Sequence, residues 1–131
     1  MALEIGLSDL QLAVMRVLWD GGESATTTVA SALATQRGLA HTTVATLLSR
    51  LEKRGVVSAR REGRQLIYRA LVPESAVRRS MVSGLLGSLF GGDAKALVAH
   101  LLAEDEIAPQ DLQRVRELLD RTENSDKDEP R

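Results

Sequence analysis

The apolar positions of this chain change period twice, and each change predicts a change of element. Leu10, Val14, Val17 and Leu18 recur at helical spacing behind Ser8-Asp9-Leu10-Gln11. That tetrad has the form of a capping box, in which a Ser side chain satisfies an orphan N–H and Gln answers three residues later. Gly21-Gly22 should stop this first helix. Ser24 supplies a second start signal, for an Ala/Thr-rich helix with Val29, Ala32 and Leu33 inward and an end at Gly38. In the third segment Val44, Leu47, Leu48 and Leu51 follow i, i+3, i+4, i+7, a core stripe. At about 100° per residue the opposite side carries Thr42, Thr46, Ser49 and Lys53, flanked by Ala45 and Arg50. Gly55 closes the helix, behind the cations Lys53 and Arg54 that favour a helix C-terminus.

The period then shortens to two. Residues 56–60 and 65–71 are β-prone runs around Arg61-Glu62-Gly63-Arg64, which reads as a hairpin, and Pro73 ends the second run for lack of an N–H. From residue 75 the pattern is helical again, to Phe90, where Gly91-Gly92 interrupt it. A further helix spans 94–103, and another starts at Pro109, a residue suited to the first helical position. After Thr122 the sequence is polar and is expected to lack stable structure. The predicted architecture is mainly α with a small β-hairpin: a winged helix-turn-helix over residues 1–73, a helical dimerisation region over 74–122, and a tail over 123–131.

The last three helices are short and amphipathic, and cannot bury their apolar faces alone. Leu85, Leu86, Leu89, Leu97, Val98, Leu101, Leu102, Leu112, Val115, Leu118 and Leu119 are therefore expected to pack against a second copy, giving a homodimer. Gly84, Gly87, Ser88 and Gly91 have the small-residue spacing of a close helix crossing, or of a flexible joint in the dimer arm.

Charge alters the picture only when it is divided along the chain. The 131 residues carry 17 bases and 18 acids, a net charge of −1 that taken whole argues against a nucleic-acid partner. Residues 1–36 have one base and four acids, residues 37–79 ten bases and three acids, and residues 80–131 six bases and eleven acids. The balances of −3, +7 and −5 put a basic middle, which contains the third helix and the hairpin, between acidic ends. That layout suits a recognition helix in the major groove. His41, Thr42, Thr43, Thr46, Ser49, Arg50 and Lys53 on the helix are the candidate DNA contacts, with Arg50 and Lys53 assigned to phosphates and the threonines to base edges or nearby phosphates. Arg60, Arg61 and Arg64 would lie along the backbone or minor groove from the turn of the wing.

Composition removes other classes. Without Cys there is no disulfide, thiol catalysis or thiolate metal site. No cofactor is implied. Trp19, Tyr68 and Phe90 are the only aromatics, too few for single-strand stacking platforms, and Trp19 reads as a core anchor. Catalytic motifs such as HExxH, GxSxG, a Walker loop or GxGxxG are absent, which excludes an enzyme reading. A metal site at His100 beside Glu104-Asp105-Glu106 has only one imidazole to offer and is not adopted. No run approaches the length of a membrane span, and the N-terminus does not read as a signal peptide, so a cytoplasmic protein without membrane insertion is expected.

Leu7-Ser8-Asp9-Leu10-Gln11-Leu12-Ala13-Val14-Met15-Arg16-Val17-Leu18-Trp19 resembles the opening of the BlaI/MecI/CopY (penicillinase repressor) family, and residues 40–55 resemble its recognition helix. Tyr68 matches an aromatic position in that family's second wing strand, and the likeness runs from Leu7 to Leu119. The resemblance implies a dimeric winged-helix repressor of an inverted-repeat, double-stranded DNA operator. It further implies release when a membrane metalloprotease sensor signals and the dimerisation region is cut. Relatives are cut at an Asn–Phe pair; His100-Leu101 stands there in this chain, which departs from that pattern. The Cys-rich motif of copper-responsive relatives is absent. Two other readings remain: a winged-helix regulator responsive to a metal or small molecule, and a winged-helix protein-interaction module with no DNA target.

Overall fold

The computed structural model describes the backbone of residues 5–128 and the side chains of residues 5–118 and 120. Two compact units divide the chain, Met1–Gly84 and Leu85–Arg131.

The first unit opens with α1 (Asp9–Gly21), and its capping box forms as its sequence requires: the Gln11 N–H donates to Ser8 Oγ at 3.1 Å and the Ser8 N–H to Gln11 Oε1 at 3.0 Å. Next come β1 (Ser24–Ala25), α2 (Thr26–Arg37), α3 (His41–Lys53), β2 (Val57–Glu62), β3 (Gln65–Ala70) and α4 (Glu74–Phe90). Gly38 ends α2 at φ 67° and Gly55 follows α3 at φ 77°, both in the left-handed region where a Cβ is costly.

The sheet corrects the two-stranded expectation. Its order is β1-β3-β2, antiparallel throughout, with Ser24 opposite Tyr68 and Ala59 opposite Tyr68 from the other side. Pairing with β3 draws Ser24 and Ala25 into extended backbone, so Ser24 does not cap α2. Its hydroxyl donates to the Gly22 carbonyl at 2.9 Å, and α2 starts after Ala25 without a side-chain cap. The wing is also longer than its β-prone runs suggested. β2 continues to Glu62, so Arg60 and Arg61 are strand residues and only Gly63 and Arg64 make the turn. Gly63 has φ 62°, which suits the first position of a two-residue II′ turn.

One core joins these elements. Met15, Leu33, Leu48, Leu51, Val14, Val29, Val44, Val57 and Val77 are fully buried, and Tyr68 closes the layer from the sheet. All four residues of the α3 stripe are inside; on α2 the third buried residue is Ala30, while Ala32 is half-buried. Burial of each such aliphatic side chain contributes about 1.5–3 kcal/mol against exposure. Trp19 is half-buried against this core, and its Nε1–H donates to the Val72 carbonyl at 2.9 Å, pinning α1 to the segment after the wing.

Val77 is buried, Met81 packs on the core, and the Ile5 N–H donates to Ser80 Oγ at 2.7 Å. The first half of α4 therefore belongs to the winged helix, and the units divide inside this helix rather than at Pro73.

The second unit contains the end of α4, α5 (Ala94–Ala103) and α6 (Pro109–Asp128). Asp93 caps α5 by accepting from the Ala96 N–H at 3.2 Å. Helix α6 continues past Thr122 to Asp128, a difference from the tail expected after Thr122; no Gly or Pro interrupts it before Pro130. Residues 129–131 lie outside the described residues. Helix α5 has no buried residue. Leu86, Leu97, Leu101 and Leu112 are half-buried, and Leu85, Leu89, Val98, Leu102, Val115 and Leu118 are exposed. The side chain of Leu119 lies outside the described ones. A Cβ built on Gly84, Gly87 or Gly91 would meet nothing within 4 Å, so no close helix crossing uses them among the described residues.

Candidate nucleic-acid interface

Helix α3 owes its position to the core stripe: with Val44, Leu47, Leu48 and Leu51 inside, every other side chain faces outward or to a flank. At about 100° per residue three strips result. Thr42, Thr46, Ser49 and Lys53 form the crest, directly opposite the core, and all four are exposed. Thr43, Arg50 and Arg54 form the flank toward α1, where Arg54 Nη1 donates to Gln11 Oε1 at 3.4 Å. His41, Ala45 and Glu52 form the flank toward the wing.

Between that last flank and the wing runs an open groove of about 500 Å³. The helix contributes His41, Ala45, Ser49 and Glu52; the wing contributes Arg64, Gln65, Leu66 and Tyr68; Ala25, Thr26 and Thr27 complete the lining. Sequence reasoning did not place Thr26, Thr27, Glu52, Gln65 or Leu66 here. A signal existed in two cases. The same 100° arithmetic that isolates the crest puts Glu52 beside His41 and Ala45, and the Thr26-Thr27-Thr28 run opens a helix. Nothing local foretells that α2 begins beside β3, because β1–β3 pairing brings it there. Neither α2 nor α3 has a side-chain cap, so both present first-turn N–H groups and the positive end of the helix dipole.

The three wing arginines are unequal. Arg60 donates to Glu23 and, through Nη1 at 2.8 Å, to Glu62. Residues 60 and 62 share a sheet face, which lets one guanidinium meet both carboxylates. The hydrogen bond from Arg60 holds the Glu23 carboxyl below its ordinary pKa, and the two acids raise that of Arg60. Arg61 and Arg64, like Arg50 and Lys53 on α3, make no ion pair among the described residues. Four cations are thus free to meet an external anion, while the charge of Arg60 is spent within the domain. Arg37 is likewise held by Asp9, at 2.7 Å.

Hydroxyls divide in the same way. Thr46 Oγ1 donates to the Thr42 carbonyl at 2.9 Å, whereas no hydrogen bond among the described residues occupies the hydroxyls of Thr42, Thr43 and Ser49. Tyr68, at the floor of the groove, is buried, and burial together with the nearby Glu52 carboxylate pushes its phenol pKa up. His100 belongs to the other unit, where its ring meets Phe90 at a centroid distance of 5.9 Å. No group of three His, Cys, Asp or Glu side chains is placed to hold a metal among the described residues, and no single helix among them is long and apolar enough to cross a membrane.

Three helices closed by a wing, with a cationic and hydroxyl-rich face on the third, define a winged-helix domain of the DNA-binding class. The chain matches the penicillinase repressor family over residues 7–121, and it belongs to that family. It is similar to the penicillinase repressor of Bacillus licheniformis, 25% identical over 122 residues that cover 93% of this chain and 95% of the relative. The methicillin resistance regulatory protein MecI of Mammaliicoccus sciuri is 20% identical over 115 residues, 88% of this chain and 94% of that one. Among solved structures, the DNA-binding domain of the repressor BlaI superposes with TM-score 0.52 at 32% identity, covering 58% of this chain and 93% of that one. The monomeric form of Bacillus licheniformis BlaI in complex with the blaP half-operator gives TM-score 0.51 at 32% identity, with the same coverage. The family is one of repressors, not an enzyme class.

Proposed function

We propose that this protein is a homodimeric repressor that binds an inverted-repeat operator, one half-site per winged helix, in the cytoplasm. The observation that carries the reading is the free cationic face: Arg50 and Lys53 on α3 and Arg61 and Arg64 on the wing flank exposed hydroxyls without an ion-pair partner among the described residues. The likeness to a BlaI domain solved on a half-operator supports it. Crest residues Thr42, Thr46, Ser49 and Lys53 enter the major groove; Thr43 and Arg50 reach one strand's phosphates; His41 and the wing lie along the other. The uncapped starts of α2 and α3 add backbone N–H donors for phosphate oxygens. Arg60 has a supporting role: it ties the wing to the segment before β1.

Dimerisation rests on the second unit, whose apolar side chains find too little cover in one copy. Leu89 is 71% exposed and Leu85 43%, and large apolar patches mark interaction surfaces. Proteolytic release would fall in this region. His100-Leu101 lies within α5, so cleavage there requires the helix to open locally. Binding of a labelled inverted-repeat duplex over a salt series, with light scattering for the oligomeric state, tests the reading. A sequence-specific footprint on a dimer is expected; a monomer, or no footprint at low salt, refutes it. Cleavage is checked by mass spectrometry of the repressor recovered after induction.

A further inference from the structure

The crest of α3 holds one residue whose chemistry its identity alone misstates. Thr46 is exposed at the middle of the crest, yet its hydroxyl proton is committed to the Thr42 carbonyl at 2.9 Å, a bond from residue i to i−4 of the same helix. Its neighbours Thr42, Thr43 and Ser49 keep their hydroxyls without an intramolecular hydrogen bond among the described residues. A threonine side chain has one donor proton. With that proton spent, Thr46 can still accept through its oxygen but has no donor left for an acceptor such as thymine O4, and its methyl group remains available to a partner. Ala45 beside it adds a second methyl to the same stretch of helix.

In the major groove the apolar feature that distinguishes bases is the thymine 5-methyl group. We infer that Thr46 is a specificity-determining residue that reads thymine through methyl–methyl contact, while the free hydroxyls around it supply the polar contacts. This rests on the DNA-binding reading above and sharpens it: one thymine per half-site is recognised by its methyl group, not by a hydrogen bond to O4.

The test uses the full-length chain and a duplex enriched by that chain from a random pool. Each thymine is replaced in turn by deoxyuridine, which removes only the 5-methyl group. At one position per half-site the wild type should lose about fourfold in affinity, the worth of one buried methyl-sized group. Thr46→Val should bind the thymine duplex as the wild type does and keep the same sensitivity to uracil. Thr46→Ser should bind the thymine duplex about fourfold more weakly and should not distinguish uracil at that position. Weakened binding by Thr46→Val with retention by Thr46→Ser would show the hydroxyl at work and overturn the inference, leaving DNA recognition intact. Uracil sensitivity at no position also overturns it. Failure to enrich any sequence removes the DNA-binding reading and this inference together.

Discussion

The unequal standing of the interface cations gives the sharpest prediction. Arg50, Lys53, Arg61 and Arg64 are free of ion pairs among the described residues, while Arg60 faces Glu23 and Glu62. If each free cation neutralises one phosphate, binding to a single half-site should show a slope of log K against log salt of about −3.6, from about −0.9 per contact. Affinity should then fall about 150-fold between about 50 and 200 mM salt. Replacing both Arg50 and Lys53 with Gln removes two contacts, reducing the slope to about −1.8 and the loss to about 12-fold over the same range. Arg60→Gln should change the slope by much less than the 0.9 or so of one contact, since its charge is already balanced inside the protein. Fluorescence anisotropy with a half-site duplex reads all three slopes, and circular dichroism confirms that the variants fold. The reasoning is refuted if Arg60→Gln lowers the slope as much as Lys53→Gln, or if the double variant keeps the wild-type slope.

Core, cap and charge each supply another expectation. Leu48→Ala empties a fully buried position in the core that joins the three helices and the sheet and should cost about 2–5 kcal/mol in denaturant unfolding of the first unit. Gly55→Ala puts a Cβ on a backbone at φ 77° and should cost about 1–2 kcal/mol by the same measurement. Hydrogen bonding to Arg37, then its charge, holds the Asp9 carboxyl below its ordinary pKa, and Arg60 does the same to Glu23. Because these folded values lie below the unfolded ones, their contribution is complete above the ordinary carboxylate pKa and is lost as pH falls through the folded values. Thermal unfolding followed from about pH 5 to pH 2 should show that loss, with a shallower fall in Arg37→Gln.

Much of this protein was legible before any fold was known. The Ser8–Gln11 capping box, the α3 stripe of Val44, Leu47, Leu48 and Leu51, and the stop at Gly55 each depend on residues within a few positions of one another. A helix's period then dictates the opposite face, so the crest of Thr42, Thr46, Ser49 and Lys53 followed from the same arithmetic. The local basic excess likewise survived its dilution in a net charge of −1.

Tertiary structure decided what depends on distant partners. Ser24 looked like a helix cap, but pairing with Tyr68 made it a strand residue and left α2 uncapped beside the wing. Arg60 looked equivalent to Arg61 and Arg64 until Glu23, 37 residues earlier, was brought against it. Ile5 and Val77 drew half of α4 into the first unit, past a proline that seemed a natural boundary. Thr46 is a local case: its identity is written in the sequence, but the folded helix shows that its hydroxyl donates back to the Thr42 carbonyl. Local periodicity determines which residues share a face; which of them remain free to act depends on contacts formed only when the chain folds.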